Sequence, residues 1–304
     1  MGTDCLVRVV VDQDRAEPIL ERAESRMHEL EHRWSRFIDG SELSQLNAHS
    51  GAPVFVSAET FELVALAVEA SRATDGRFDP SMLDALIASG YDRTFDEISD
   101  RGEVIPNVLP DSHAIDDVDL DARTRMILTP PGFRFDLGGI GKGRAVDVVF
   151  EQLVADGVVG ICLDFGGDLR VGGSPVAGGG WPIVIDDPFH PGEDLLVLGI
   201  GEGSVTTSSR LRRSWSTTSG AAHHLLDPST KRPTQSGVAS VTVISALAAW
   251  GEVHAKAALI AGVDEGARLI EDANLSALFV EDDGTLTTVG EFEKFVVDGL
   301  SAVS

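Results

Sequence analysis

DLGGIGKGRAVD, residues 136–147, sets one lysine among four glycines and between two aspartates, and runs straight into an apolar helical pattern. Gly138, Gly139, Gly141 and Gly143 let the backbone turn tightly and approach a bound group, and Lys142 offers a mobile cation. The N-terminus of the helix that follows favours negative charge, so the stretch describes a seat for an anion. A nucleotide P-loop needs Ser or Thr directly after its Gly-Lys, and Gly143 stands there instead, so that reading fails. Taken alone, the stretch is equally served by glycines that only make a tight strand-to-helix turn.

Other segments stand in a fixed order around it. They are MGTD at Met1–Asp4, SELSQLN at Ser41–Asn47, TDGRFDPSM at Thr74–Met82 and DFGGDLRVGG at Asp164–Gly173, then TTSS at Thr206–Ser209, HLLDPSTKRP at His224–Pro233, ASVTVIS at Ala239–Ser245 and GEVHAKAALIAG at Gly251–Gly262. In this order and spacing the set resembles the ApbE-type FAD:protein FMN transferases, over nearly all of the chain. DG, GGD and DP turns are common singly; the series is specific.

The chain has 304 residues, 43% of them hydrophobic, enough for a substantial core in one large domain or two ordinary ones. The formal net charge of −25, from 49 acids against 24 bases, argues against binding nucleic acid or an anionic membrane face through bulk charge. Local cations such as Lys142 and backbone amides must overcome that field for any dinucleotide. Cys5 and Cys162 are too few and too far apart for a zinc site or a disulfide framework, and both lie in strand-like apolar runs, which predicts buried free thiols. No run approaches the roughly 18 apolar residues of a membrane helix, and no basic segment with an apolar stretch precedes the fold. The expectation is a soluble cytoplasmic chain, or an extracytoplasmic one if a leader has been removed.

Periodicity predicts a strand at Leu6–Val11 and a helix over Glu17–Phe37 whose apolar face carries Leu20, Ala23, Met27, Leu30, Trp34 and Phe37. Ser57 caps a second helix that Asp75-Gly76 stops, and a short third covers Ser81–Ala88. Asp92–Arg123, rich in aspartate and holding Pro106 and Pro110, reads as an irregular solvent-facing connection. Strands are expected at Met126–Leu128 and Phe133–Asp136, a helix at Arg144–Ala155, and strands near Gly160–Asp164, Leu169–Val171, Trp181–Asp186, Leu195–Ile200 and Val238–Ser245. Helices at Trp250–Ala261 and Glu265–Ala273 precede strands at Ser276–Val280 and Phe292–Val297. The class is α+β, with too many consecutive strands for a doubly wound sheet. The resemblance implies one ApbE-like domain over 1–304: a duplicated T-fold-type architecture of mixed sheets and packed helices, in two intimately packed subdomains with FAD in a central cleft.

Moving FMN from FAD to a protein hydroxyl displaces AMP at phosphorus, so the site needs cations or a metal, amides aimed at phosphate, and a proton acceptor. The resemblance places Asp136 and Lys142 on FAD and the Gly139 backbone on magnesium. It points to Met1, Phe37, Arg77, Phe78, Asp79 and Leu226 for the rest of FAD, where aromatic and thioether groups suit flat rings. Relatives commonly carry tyrosine at the place of Phe37, so here the stacking face remains without the hydroxyl. For Phe37 and Phe78 the competing readings are a core residue and a turn anchor. His224, matched to the family's HIIDP segment, is the candidate for proton transfer, against a structural donor, with His223 as a decoy and Asp227 holding the turn into Pro228.

The sharpest departure is in GEVHAKAAL. Relatives present Asp-Ala-Leu-Ala-Thr there, with the Asp and Thr ligating magnesium; here the places hold Glu252 and Lys256, still one turn apart on one helix face. A glutamate remains a metal ligand, but a protonated ammonium cannot be one. Either Lys256 swings aside while Glu252 and Gly139 hold magnesium, or it supplies the positive charge itself and joins the catalytic set, or the pair is a salt bridge in a site that binds FAD without turnover. Weakened or lost metal dependence is the expectation. The implied partner is a flavoprotein with an Asp-x-x-(Ser/Thr)-Gly-Ala-(Thr/Ser) acceptor motif, and the alternatives are a flavin-binding protein of the same fold and an FAD pyrophosphatase. Ser219-Gly220-Ala221 echoes that motif but has Ser216 in place of its aspartate and Ala222 in its last place, which argues against self-flavinylation.

Overall fold

Residues 5–10, CLVRVV, are β-branched and short, and in the computed structural model they form the edge strand of a seven-stranded antiparallel sheet. The structure describes residues 4–99, 115–175, 180–217 and 220–299. They divide into two compact units, the first built from Glu29–Gly141 and Arg212–Gln235, the second from 4–28, Lys142–Leu211 and 236–299. Helix α1 (Gln13–Trp34) begins in the second and ends in the first.

In the first unit, Ser41 and Ser57 cap α2 (Glu42–Ala48) and α3 (Ala58–Ala73), each hydroxyl accepting a backbone N–H three residues on. The Glu42 carboxylate also accepts from the Ser57 hydroxyl at 2.7 Å, tying the two helix starts together. Two short helices, α4 (Leu83–Ala88) and α5 (Phe95–Ser99), follow. A three-stranded sheet has Met126–Leu128 in its centre, flanked by Pro53–Phe55 and Asp119–Asp121, and two small ribbons pair Ser214–Thr217 with Gly220–His223 and Leu226–Asp227 with Arg232–Pro233.

The second unit holds the large sheet, whose strand order follows the chain: β1 (Cys5–Val10), β2 (Gly160–Phe165), β3 (Asp168–Gly173), β4 (Gly203–Ser209), β5 (Val238–Ser245), β6 (Ser276–Glu281) and β7 (Leu286–Val289). Gly166 and Gly167 make the two-residue turn between β2 and β3 with φ of 70° and 93°, the conformation such tight hairpins require, and the turn delivers Asp168 at the head of β3. Every residue of β5 is buried, because both faces of the sheet are covered. Helices α6 (Gly141–Ala155), α7 (Ala248–Ala261) and α8 (Val263–Asp272) belong to the same unit, with α7 packed on β4 and β5. On the opposite face, Val205, Ile244, Leu278 and Val280 share a core with Trp181, Ile183, Leu196, Leu198 and Phe292 of and beside a second sheet, Trp181–Asp186, Asp194–Ile200 and Val296–Asp298. Helices, large sheet and small sheet form three layers, the α+β class expected.

The departures from the periodicity reading have identifiable causes. Phe133–Asp136 is not a strand: the Asn47 amide takes both the N–H and the C=O of Phe135, at 2.7 and 2.9 Å, so this backbone needs no ladder while Phe133 and Phe135 are buried. Strand β4 escaped because its SVTTSS lacks an apolar alternation, yet Ser204, Thr206 and Ser208 are buried, with the Ser204 hydroxyl on Ser245 and Thr207 on Thr242. The Asp92–Arg123 connection contains α5, a 3-10 turn at Ile115–Asp117 and the strand Asp119–Asp121, while residues 100–114 lie outside the described ones. Phe292–Val297 is a 3-10 turn over Phe292–Phe295 followed by the strand Val296–Asp298. Cys162 is buried as expected, whereas Cys5, on the edge strand, is exposed. Among the described residues no helix is long and apolar enough to cross a membrane.

Candidate functional site

The glycine stretch is half turn and half helix. Helix α6 begins at Gly141, three residues earlier than periodicity suggested, so Lys142 stands in its first turn. Gly143 is there because α7 passes against it: a Cβ at this position would lie 2.5 Å from the Ala248 carbonyl oxygen. Two helix starts thus meet backbone to backbone, and the side chains they carry meet with them. Lys142 Nζ is ion-paired with Asp168 and donates to Glu252 Oε1 at 3.0 Å; the Gly143 N–H donates to Glu252 Oε2 at 2.9 Å; Lys256 Nζ lies 3.8 Å from Glu252 Oε1. Asp168 and Glu252 are nearly inaccessible, and the two lysine side chains retain about 15% of their exposure. Burial by itself pushes the Glu252 carboxyl up, but Lys142, Lys256 and the Gly143 N–H together bring it below the usual glutamate range.

That shift has a consequence for stability. A carboxyl held below its unfolded value stabilises the fold above that value and loses the contribution as pH falls through the folded one. Next to it on α7, burial pushes the His254 imidazole down while its Nδ1–H donates to the Trp250 carbonyl at 2.8 Å, so the folded chain resists its protonation too. Urea midpoints are expected to decline from about pH 6.5 downward through His254 and again below about pH 4.3 through Glu252. Glu252→Gln should shrink the lower phase and leave the upper one, and an unchanged lower phase in that variant would refute the assignment.

Magnesium, which the family resemblance implies, fits these residues poorly. One carboxylate oxygen of Glu252 already faces both ammonium groups and the other holds an N–H. A divalent ion about 4 Å from either ammonium would be repelled by roughly 8 kcal/mol at an effective dielectric of 20, twice the unit-charge figure. Among the described residues no three His, Cys, Asp or Glu side chains converge as a metal-binding group.

The first unit gathers a second set. Arg36 Nε is 2.8 Å from Asp136 Oδ2, and the guanidinium lies over the Phe37 ring at 4.2 Å and the Tyr91 ring at 4.8 Å. Tyr91 stacks on Trp215 at 5.7 Å and 22°, meets Phe37 edge-on at 6.1 Å, and sits 6.4 Å from the His224 ring. Trp215 donates to the Ser89 carbonyl at 3.1 Å. Phe37 remains 37% exposed, so it does not close the first helix as a core residue. His224 Nδ1 faces the Arg213 carbonyl at 3.4 Å, and the ring is partly buried. His223 is buried with Nε2 on the Thr234 carbonyl at 3.2 Å, a structural role.

Asp136 braces the turn, its Oδ1 accepting the Gly138 N–H at 2.7 Å. Gly139 is buried. Phe78 is 4% exposed, and its N–H donates to Thr74 Oγ1 at 3.1 Å, the geometry of a turn anchor. Arg77 is partly buried, Asp79 accepts the Ser81 N–H at 2.8 Å, and Leu226 lies in a core with Met82, Leu86, Tyr91 and Trp215. Asp227 holds its turn by accepting the Ser229 N–H at 2.9 Å and hydroxyl at 2.7 Å. Met1 and Ser219 lie outside the described residues. Sequence reasoning passed over Arg36, Tyr91, Trp215 and Asp168; Tyr91 is the chain's one tyrosine, and Asp168 stood in the quoted GGD.

A family model, that of the ApbE family, matches residues 1–279. The chain is 25% identical to the FAD:protein FMN transferase of Haemophilus influenzae, over 94% of this chain and 86% of the relative. It is 27% identical to the protein of the same name from Treponema pallidum, over 93% and 83%. The crystal structure of the ApbE protein of Thermotoga maritima superposes with a TM-score of 0.86 at 24% identity, covering 98% of this chain and 97% of that one, which establishes the shared fold.

Proposed function

Because the chain belongs to the ApbE family, we propose that it is an FAD:protein FMN transferase that attaches FMN to a Ser or Thr hydroxyl of a partner flavoprotein. The acceptor oxygen attacks the phosphorus of the FMN half of FAD, a new phosphoester bond forms, and the bond to the bridging oxygen breaks. AMP leaves with that oxygen, and His224 Nε2 takes the hydroxyl proton. The observation that carries this reading is the match, along more than nine-tenths of the chain, to relatives named for that reaction. Two features of the geometry agree with it. The His224 imidazole is partly buried beside Tyr91, and Lys142 stands in the first turn of α6 where phosphate oxygens favour both an ammonium and helix N–H groups.

In this reading Met1, Phe37, Arg77, Phe78, Asp79, Asp136, Lys142 and Leu226 serve FAD. Phe78 and Leu226 act from the core behind the surface, and Asp136 acts through the turn it braces. Tyr91, itself stacked on Trp215 in the core, backs Phe37 from behind. A second reading, FAD binding without turnover, draws on the Glu252–Lys256 ion pair standing where the resemblance implies metal ligation.

Intact-mass spectrometry of an acceptor domain carrying the Asp-x-x-(Ser/Thr)-Gly-Ala-(Thr/Ser) motif, incubated with the chain and FAD, separates the two. An FMN adduct is expected, and His224→Gln should slow its formation by about a hundredfold while FAD affinity stays within a few-fold. No adduct on a domain that a relative does modify supports the binding protein. AMP release without acceptor would instead mean hydrolysis.

A further inference from the structure

Glu252 stands beside two ammonium groups. Lys142 at 3.0 Å and the Gly143 N–H at 2.9 Å occupy its two oxygens. Lys256 lies at 3.8 Å, past hydrogen-bond length, one turn further along α7 on the same face. Its ammonium adds a second positive charge beside the two buried carboxylates, in a chain whose net charge of −25 otherwise disfavours a pyrophosphate. The same ammonium stands where the family resemblance implies a metal-ligating hydroxyl, and it obstructs a divalent cation on Glu252.

We propose that Lys256 supplies the positive charge for phosphoryl transfer in this chain, so that FMN transfer proceeds without a divalent cation. The inference rests on the flavin-transfer reading. The acceptor oxygen forms its bond to phosphorus, the bond from phosphorus to the bridging oxygen breaks, AMP departs with that oxygen and its negative charge, and the hydroxyl proton passes to His224. Lys142 and Lys256 neutralise charge on the phosphoryl oxygens and form no bond. An ammonium is a compact point cation on a four-carbon stem, suited to following oxygens that move as the leaving group departs. Glu252 keeps both lysines charged and aimed, a positioning role in place of ligation.

The test has two arms. In the first, Mn2+ is titrated into the chain with and without FAD, its free signal being read by electron paramagnetic resonance, with FAD alone as reference and Lys256→Thr in parallel. The wild-type chain is expected to bind no more Mn2+ than free FAD does, and K256T to bind one equivalent at least tenfold more tightly. In the second, transfer is followed by intact mass in EDTA and in magnesium. The wild-type rates should agree within twofold, while K256T should lose at least tenfold in EDTA and recover in magnesium. One tight Mn2+ per wild-type chain overturns the assignment, as does wild-type transfer that collapses on chelation and returns with magnesium. If no buffer gives transfer from the wild type, the transferase reading fails, and the Mn2+ titration still decides whether Lys256 excludes the metal.

Discussion

Lys142→Met is expected to destabilise the fold by about 3–5 kcal/mol at neutral pH and to cut FMN transfer by about two to three orders of magnitude. A single ammonium answers two buried carboxylates, Asp168 and Glu252. Replacing a buried ion cluster by apolar groups of equal shape is often harmless, but removing one partner strands the others, here Asp168 above all. Glu252 keeps the Gly143 N–H and Lys256, so the larger share of the loss falls on Asp168. The pH dependence identifies the cause. Without Lys142 the stranded carboxyls rise toward protonation, which relieves their burial, so the loss should shrink as pH falls from 8 to 5. Urea unfolding across that range measures it, and a loss below about 1 kcal/mol at pH 8, or one that grows on acidification, would sink the account. Lys142→Met with Asp168→Asn should recover roughly 2 kcal/mol relative to additivity, since contacting residues couple by that order.

The activity loss has a separate origin. A fixed cation aimed at developing charge in a partly desolvated site is worth about 10²–10³ in rate. Lys142→Arg keeps the charge and should retain most of the stability while losing transfer, because a planar fork does not occupy the place of a compact ammonium.

What the sequence made legible here was local. Helix α3 and the nearly all-buried α7 lie within a few residues of the ends their sequences suggest, and the Glu252–Lys256 pairing follows from their spacing on one helix. What stayed hidden depends on groups distant in the chain. Asn47 frees Phe133–Asp136 from the need for a strand by bonding Phe135, and hydroxyl pairs let SVTTSS serve as a buried strand, so neither shows in a hydrophobic period. The same holds for the site. Glycine density marked residues 136–147, but that Gly143 serves a backbone contact with α7, and that Lys142 thereby reaches Glu252, are tertiary facts. Tyr91, Trp215 and Arg36 form one aromatic and cationic stack from three separate segments, with no motif to announce it.

The second aspartate of the opening stretch shows how far such a fact reaches. Asp147 is 1% exposed, and its two oxygens accept the N–H groups of Ala248 and Ala249 at 3.0 Å each, while Arg170 Nη1 lies 2.5 Å from Oδ1. The residue at the start of α7, Leu247, has no side chain that caps the helix, so a carboxylate from α6, 101 residues earlier, does it. An anion at a helix N-terminus also meets the favourable end of the helix dipole. Asp147→Ala therefore leaves two buried N–H groups unpaired and a mostly buried guanidinium without its counter-charge. A loss of about 4–5 kcal/mol is expected, near the limit of what one substitution does. Asp147→Asn keeps one carbonyl for one N–H but turns a donor toward the other and removes the charge facing Arg170, so about half that loss should remain. Because α7 carries Glu252 and Lys256 in its next turns, the Asn variant, which still folds, should also lose at least tenfold in FMN transfer through displacement of that pair. Thermal and urea unfolding of the two variants, with transfer measured on the folded Asn form, decide the matter. An Ala variant within about 1 kcal/mol of wild type would mean that α7 holds its own N-terminus, and full transfer by the Asn variant would mean that the Glu252–Lys256 pair is placed by the sheet beneath it instead.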